Sequence, residues 1–316
     1  MRVFVTGAAG FIGRAVIAEL VNHGHQVLGL ARSDASAEII TKAGGLPHRG
    51  DLEDLESLKS GARAADGVIH LAFEFDFNNM AKCTAMDRAA IEAMGEAMTG
   101  TGKPLVIASG TLFLPKGKLG TEDTEPDRNN PLSERGQSAD LVCKLSKEKQ
   151  IRGSVIRLSP TVHGTEDKGF IPMLINLARQ KGFVTYIGDG SARWPAVHRL
   201  DAAALFRLAL EKGTAGGIYH GVAEQGVSMK DIMTVVGKHL QLPVESKSMN
   251  EAVEAIGFFA HVIAFGMSFN GHTYFINAAM CTRSYNPSND LIVFDVPMPA
   301  NASKFRPNIN YFTGLI

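Results

Sequence analysis

Three spaced glycines near the start of the chain have the spacing of a phosphate-binding turn. Gly7, Gly10 and Gly13 follow a short β-branched run at residues 3–6. Gly7 allows a sharp turn off a strand, Gly10 leaves room for a phosphate at the backbone, and Gly13 lets the next helix lie close to the sheet. The free N–H groups of that helix's first turn would then face a pyrophosphate. This spacing, between a strand and a helix, predicts a dinucleotide-binding site.

The end of the second predicted strand, at residues 26–30, indicates which dinucleotide would bind. NAD sites usually carry Asp or Glu there to bind the ribose diol, but this chain has Ala31 followed by Arg32. A guanidinium suits a 2′-phosphate because it can bind phosphate through two parallel hydrogen bonds, and Ser33 could donate another. Asp34 is near enough to keep NAD possible. The residues therefore predict NADP as the cofactor, with NAD as the alternative.

Strand and helix signals alternate through the first half of the chain. The strands are apolar rather than two-faced, which is typical of a parallel sheet covered by helices on both sides. We therefore predict an α/β fold: a doubly wound parallel Rossmann sheet with a smaller C-terminal substrate lobe. Ligands of such sheets bind beyond the carboxyl ends of the strands. In the second half, helices are predicted at 169–181, 203–211, 229–240 and 250–265, and a strand at 218–222.

Two domains follow from this pattern. The Rossmann domain is predicted to span 1–222, with about 165–195 contributing to the substrate lobe, and the lobe to span 223–316. The composition changes within the lobe, since residues 266–316 hold seven Asn and four Pro but only five charged side chains. Both interpretations of this atypical tail stay open: a divergent segment, or a stretch translated from a faulty gene model.

The bulk composition argues against several classes of partner. Lys plus Arg and Asp plus Glu both number 32, so we expect neither nucleic acid nor an anionic membrane surface. Cys83, Cys143 and Cys281 form no CxxC pair and indicate reduced thiols. The longest apolar run, 255–269, is interrupted by His261 and falls short of the roughly 20 residues of a spanning helix. We expect a cytoplasmic protein, monomeric or homodimeric, that acts on a small molecule.

Three histidines could be interpreted as metal ligands or catalytic groups. No HExxH or comparable ligand spacing occurs, so no metal is predicted. His70 ends a buried strand, which favours a hydrogen-bonded core role. His163 lies in a turn that should border the substrate pocket, where a structural and a functional role are both open. His198 stands at a predicted strand-to-helix junction.

Several motifs occur in a fixed order along the chain. They are Thr6 to Gly13, Gly50-Asp51-Leu52, His70-Leu71-Ala72, Ser109-Gly110-Thr111, Arg157 to Gly164 and Arg193 to Asp201. Together they resemble the extended short-chain dehydrogenase/reductase superfamily, which includes the NAD-dependent epimerase/dehydratase group. The resemblance covers residues 1 to about 265.

The resemblance implies further cofactor contacts that the residues alone would not predict. The glycine loop would bind through Gly7, Gly10, Phe11, Ile12 and Gly13. Three pairs would line the rest of the cofactor: Asp51 and Leu52 beside the adenine, Leu71 and Ala72 beside the nicotinamide ribose, and Pro160 and Thr161 beside the nicotinamide.

The catalytic tyrosine of that superfamily is absent. Its reductases use a Tyr hydroxyl to protonate the substrate oxygen, a Lys four residues later to lower the Tyr pKa, and a Ser or Thr to complete the hydrogen bonds. Ser109 and Thr111 occupy the expected place after the fifth strand, but no Tyr lies between Thr111 and Tyr186. If Lys144 is the family lysine, Asp140 stands where the Tyr should be. Lys147 or Lys149 in that role would instead put Cys143 or Leu145 there.

These observations predict an NADP-dependent oxidoreductase of atypical short-chain type that transfers hydride to a small organic carbonyl, enone or imine. Ser109 or Thr111 would hold the substrate oxygen, and water, Lys144 or His163 would supply the proton. A catalytically silent NADP(H)-binding sensor or scaffold is the alternative. A nucleotide-sugar epimerase or dehydratase is less favoured, because that chemistry normally uses the absent Tyr as a base.

Overall fold

A computed structural model describes residues 1–76, 79–115, 120–128 and 133–264. The predicted atypical tail, 266–316, lies outside these residues. The strands are β1 (Arg2–Thr6), β2 (Gln26–Ala31), β3 (Leu46–Arg49), β4 (Gly67–His70), β5 (Pro104–Gly110), β6 (Arg152–Leu158), β7 (Thr161–His163), β8 (Val184–Ile187), β9 (Arg193–His198), β10 (Gly217–Gly221), β11 (Glu224–Ser228) and β12 (Val244–Lys247).

The helices alternate with these strands. They are α1 (Phe11–Asn22), α2 (Asp34–Lys42), α3 (Leu55–Arg63), α4 (Met80–Ala97), α5 (Gly136–Glu148), α6 (Phe170–Lys181), α7 (Arg199–Lys212), α8 (Met229–Leu240), α9 (Met249–Ile256) and α10 (Phe258–Ala264). Short 3-10 turns at Thr111–Phe113 and Ser133–Arg135 follow β5 and precede α5.

The central sheet has seven strands in the order β10-β6-β5-β4-β1-β2-β3. All of its pairs are parallel, with Val3 opposite Val27 on one side of β1 and Gly67 on the other. The predicted α/β Rossmann fold is confirmed. Because every strand runs the same way, the carboxyl ends of β1, β4, β5 and β6 meet at one edge of the sheet.

Both faces of the sheet are buried. Alternate residues of a strand point to opposite faces, so Val3 and Val5 belong to a core with α1, α2 and α7, whereas Phe4 belongs to a core with α3, α4 and α5. A Cβ added at Gly61 of α3 would lie 2.5 Å from the Phe4 ring, so the helix approaches the sheet closely there. This packing explains why inner strands such as β1 are apolar, whereas the edge strand β3 is largely exposed.

A third core lies outside the central sheet. It joins α6, α8, α9 and α10 to two small sheets, ordered β11-β9-β7 and β12-β8. The single helix predicted at 250–265 is instead two helices, because Gly257 has a φ of +59° and ends α9. The domain boundary predicted at 222 stays a prediction. Within the described ranges, every helix is too short or too polar to cross a membrane.

Candidate functional site

The glycine loop has the shape that the sequence predicts. Gly7 has a φ of +65°, and a Cβ there would lie 2.7 Å from the backbone nitrogen of Ala72. A Cβ at Gly13 would lie 2.1 Å from the Gly7 carbonyl oxygen, so α1 can approach the loop only because Gly13 has no side chain. A Cβ at Gly10 would meet one atom within 4 Å, the Gly7 oxygen at 3.0 Å. The outer side of Gly10 is therefore open.

The N-terminus of α1 is suited to an anion. Its N-cap, Gly10, makes no side-chain hydrogen bond, and its first turn has no acidic residue. By contrast, side chains cap α2 from Ser33 and α8 from Ser228. Uncapped N–H groups and the helix dipole attract negative charge. The predicted contacts of a pyrophosphate with Phe11 and Ile12 fit this geometry.

Positive side chains surround this helix start. Arg14 of α1 lies 2.6 Å from the Glu166 carboxylate in the loop after β7. This ion pair lowers the pKa of Glu166 through a hydrogen bond and the Arg14 charge. The Arg199 guanidinium lies 5.2 Å from the centre of the Phe11 ring. No motif spacing links Arg199 to α1, so its place beside the helix start could not be predicted from the sequence.

Arg32 at the end of β2 is available for a ligand. Its side chain is 75% exposed, and its Nη1 lies 3.7 Å from Glu74. The Ser33 hydroxyl is already engaged, since it accepts from the Ser36 backbone nitrogen in a capping box of α2. Asp34 is paired with Arg49. Of the residues predicted to distinguish NAD from NADP, Arg32 therefore makes the weakest contact with a neighbouring side chain.

The residues predicted to line the adenosine and the nicotinamide ribose follow β3 and β4. The Asp51 carboxylate accepts hydrogen bonds from the backbone nitrogens of Glu53 and Asp54 at 2.9 Å each, and Leu52 packs on the second core. The Ala72 backbone nitrogen donates to Thr6 Oγ1 at 3.2 Å, and Leu71 packs on the first core.

The segment after β6 contains an unsatisfied hydroxyl. Thr161 is buried, and its Oγ1 has no hydrogen-bond partner among the described residues. Pro160 precedes it and is half-buried. A buried polar atom without a partner is costly, so this orphaned hydroxyl fits a ligand lying beside Pro160 and Thr161.

His163 ends β7 and lies against a second histidine. It is 4% exposed, and its ring centre is 5.4 Å from that of His198. Burial, together with His198, lowers the pKa of His163 to about 4. The imidazole is therefore neutral at neutral pH.

The three predicted catalytic side chains lie in different environments. Ser109 is buried near the end of β5, and no described residue pairs with its hydroxyl. The Thr111 hydroxyl donates to the Leu158 carbonyl at 3.3 Å. Lys144 is 64% exposed and lies 3.9 Å from Glu148. Its catalytic role stays a prediction, and this placement on the outer side of α5 does not support it.

A buried polar chain of Thr6, His70, Asp87 and Ser138 connects the glycine loop to α5, and no motif spacing in the sequence predicts it. The Thr6 hydroxyl donates to His70 Nδ1 at 2.7 Å, and His70 Nε2 donates to Asp87 at 3.1 Å. The second Asp87 oxygen accepts from Ser138 at 2.5 Å. Burial would raise the pKa of Asp87, but hydrogen bonds from His70 and Ser138 and the charge of Arg135 bring it below its usual value. The core role expected of His70 is confirmed.

Arg135 immediately precedes α5, and the side chains of that helix divide into a buried and an exposed side. Gly136, Ser138 and Ala139 form the buried side of the helix, whereas Asp140 is exposed and paired with Arg128 at 2.7 Å. The interpretation of Asp140 as the residue in the tyrosine's place therefore lacks support in the structure.

Comparisons with known proteins agree with this geometry. A family model described as "NAD dependent epimerase/dehydratase family" matches residues 3–220. An uncharacterized protein of Schizosaccharomyces pombe is 48% identical over 265 residues, which is 84% of this chain and 89% of that protein.

More distant relatives are named for their activities. A 4-hydroxy-2-methyl-3-oxo-4-farnesyl-3,4-dihydroquinoline-1-oxide ketoreductase of Stigmatella aurantiaca is 27% identical over 252 residues, covering 75% of this chain and 72% of that protein. The structure of a Thermus thermophilus UDP-glucose 4-epimerase in complex with NAD has a TM-score of 0.64 at 22% identity, covering 78% of this chain and 86% of that one. This structural likeness shows the fold.

Proposed function

The chain belongs to the NAD-dependent epimerase/dehydratase family, and on that basis we propose that it is an NADP-dependent oxidoreductase that reduces a small organic carbonyl, enone or imine. Membership of this family supports an enzyme that uses a nicotinamide cofactor. The ketoreductase named among its relatives supports carbonyl reduction. The absence of Tyr between Thr111 and Tyr186 argues against epimerase chemistry, which normally needs that residue as a base.

The open N-terminus of α1 is the observation that carries this proposal. Gly10 leaves the first-turn N–H groups of Phe11 and Ile12 uncovered, and they would hold the pyrophosphate. Arg32 would hold the 2′-phosphate from the end of β2, in place of its exposed contact with Glu74. A guanidinium binds a phosphate dianion more strongly than it binds an exposed carboxylate at this distance.

The remaining steps of the reaction are orientation of the substrate and delivery of a hydride and a proton. When bound, the reduced nicotinamide supplies the hydride to the acceptor carbon. The Ser109 hydroxyl, unlike that of Thr111, is free to donate a hydrogen bond to the substrate oxygen. Neutral His163 is a poor proton donor at neutral pH, so the proton reaches the substrate oxygen from water.

The test is oxidation of saturating NADPH with a panel of carbonyls, enones and imines. We expect turnover with at least one class, and a loss of about 10-fold or more when Ser109→Ala removes the hydroxyl. Absence of NADPH oxidation across the whole panel, with intact NADPH binding, would overturn the reductase proposal.

Cofactor choice is tested by Arg32→Ala. Losing a charge-assisted contact to the 2′-phosphate should weaken NADPH binding about 10- to 100-fold, with little effect on NADH. Arg63→Ala, which removes another exposed arginine at the end of α3, is the matched control. Equal losses for both dinucleotides in the Arg32 variant would contradict the NADP assignment.

A silent NADP(H)-binding protein is the second candidate. It is favoured because Lys144 lies exposed near Glu148 and because the Thr111 hydroxyl already donates to the Leu158 carbonyl. It predicts tight NADPH binding without turnover on any acceptor. Binding of neither dinucleotide would exclude both candidates.

A further inference from the structure

Arg135 is a cation stacked on aromatic rings. Its guanidinium carbon lies 3.9 Å from the centre of the Phe73 ring and 5.2 Å from that of Phe75. The planar face of a guanidinium stacks on aromatic rings and leaves its N–H edge for a ligand. Since guanidinium groups do not deprotonate in proteins, Arg135 brings a permanent positive charge to this place.

The position of Arg135 relates it to the predicted site. Phe73 directly follows Leu71 and Ala72 beyond the carboxyl end of β4, the pair expected beside the nicotinamide ribose. The backbone of Ala72 touches the glycine loop, within 2.7 Å of where a Gly7 Cβ would be. Parallel α/β sheets bind their ligands at this edge. Arg135 therefore lies on the substrate side of the predicted cofactor site.

The charge of Arg135 is incompletely compensated within the described residues. Its Nε is buried and has no hydrogen-bond partner there. Asp87 is close enough to influence it electrostatically, but both Asp87 oxygens are already held, by His70 and Ser138. A half-buried cation lacking a full set of partners is costly on its own and favours an anionic ligand.

We propose that Arg135 binds the carboxylate of the substrate, so that the natural acceptors are oxo acids rather than neutral ketones. The flat N–H edge of a stacked guanidinium matches a carboxylate in two parallel hydrogen bonds. The inference rests on the proposed reductase function and gives its substrate class. In this scheme the acid group anchors the molecule while the carbonyl faces Ser109.

The test uses binding as well as turnover. The NADP⁺-saturated protein is titrated calorimetrically with 2-oxobutanoate, acetoacetate and levulinate, and with the methyl ester of each. We expect at least one acid to bind 10-fold or more tightly than its ester. Arg135→Met should remove that preference, Arg135→Lys should restore part of it, and NADPH affinity should stay within about 3-fold.

Arg179→Met is the matched control, because Arg179 is an exposed arginine of α6. Circular dichroism establishes that the Arg135 variants are folded. Equal binding of acids and esters, binding of none of the six compounds, or an acid preference that survives in Arg135→Met would each overturn the proposal. Acid binding without NADPH oxidation would instead refute the reductase function and leave the carboxylate site standing.

Discussion

At the scale of single residues, the glycine loop separates packing from binding. Gly13 has no space for a Cβ because the Gly7 and Ala8 carbonyl oxygens would lie 2.1 and 2.7 Å away. A Cβ at Gly10 would be crowded by one atom alone, the Gly7 carbonyl oxygen at 3.0 Å, and would face the predicted phosphate. Glycine is thus required for helix packing at position 13 and for the predicted phosphate contact at position 10.

This difference predicts different effects of alanine at the two positions. Gly13→Ala should lower the free energy of unfolding by about 1–3 kcal/mol through overpacking. Gly10→Ala should leave stability within about 1 kcal/mol but weaken NADPH binding 10-fold or more, because its methyl group would occupy the phosphate's place. Urea denaturation and NADPH titration measure the two effects.

Equal destabilisation by both substitutions would contradict the geometry of the loop. Unchanged NADPH affinity in Gly10→Ala would argue that the pyrophosphate lies elsewhere. Gly100→Ala is not a suitable control because its φ of +74° is strained for alanine.

The loop could be predicted because all its determinants are local in sequence. Arg135 could not be predicted, since its role depends on which side of α5 is buried and on a stacking partner 62 positions earlier in the sequence, Phe73. Lys144 was predicted as the superfamily's lysine, which puts Asp140 four residues earlier in the tyrosine's place. That spacing places both on the exposed side of the helix.

At the scale of secondary-structure elements, the buried polar chain of Thr6, His70, Asp87 and Ser138 connects β1, β4, α4 and α5. Each of its members comes from a different element, and Asp87 is bonded to two of the others. A buried carboxylate is tolerated only when such partners satisfy it. The chain therefore fixes the helices that carry Asp87 and Ser138 against the strand end that carries His70.

We predict strong coupling between Asp87 and Ser138. Asp87→Ala should cost about 3–5 kcal/mol of unfolding free energy because it leaves His70 and Ser138 unsatisfied. Ser138→Ala alone should cost about 1–3 kcal/mol, and the double variant less than the sum. Denaturant unfolding of the four proteins gives the coupling energy. Additive losses would show that the hydrogen bond contributes nothing of its own.

Long elements with clear periodicity, such as α1 and α4, were predictable from their apolar spacing. The short strands β8, β11 and β12 were not. They pair in sheets of two or three strands, where the partner's position rather than the local sequence decides whether a segment is extended. The break between α9 and α10 depends on the left-handed backbone of Gly257, which an uninterrupted apolar pattern conceals.

At the scale of the whole molecule, two buried histidines make stability depend on pH. Burial lowers the pKa of His163 to about 4 and, with the Arg157 charge, that of His220 to about 3. Both rings are neutral in the folded protein near pH 6, whereas in the unfolded chain they take up protons below pH 6.5. Stability from these groups is complete above that pH and is lost as pH falls.

We therefore expect each histidine to cost about 2 kcal/mol of unfolding free energy between pH 6.5 and pH 5. His163→Gln should reduce the loss between pH 7 and pH 5 by about that amount, measured by urea unfolding at both pH values. His239→Gln, at the exposed end of α8, is the control for a changed net charge. An unchanged pH dependence in His163→Gln would contradict a neutral buried ring.

The chain contains one tryptophan, and its place in the fold makes it an optical probe. Trp194 lies on β9 in the third core, 2% exposed and 5.6 Å from the Phe170 ring centre. The emission of an indole shielded from water overlaps the absorption band of reduced nicotinamide. Energy transfer would therefore quench the fluorescence of Trp194 when NADPH binds. Quenching of Trp194 would thus report cofactor binding without a label, and the wavelength of its remaining emission would report whether the third core excludes water.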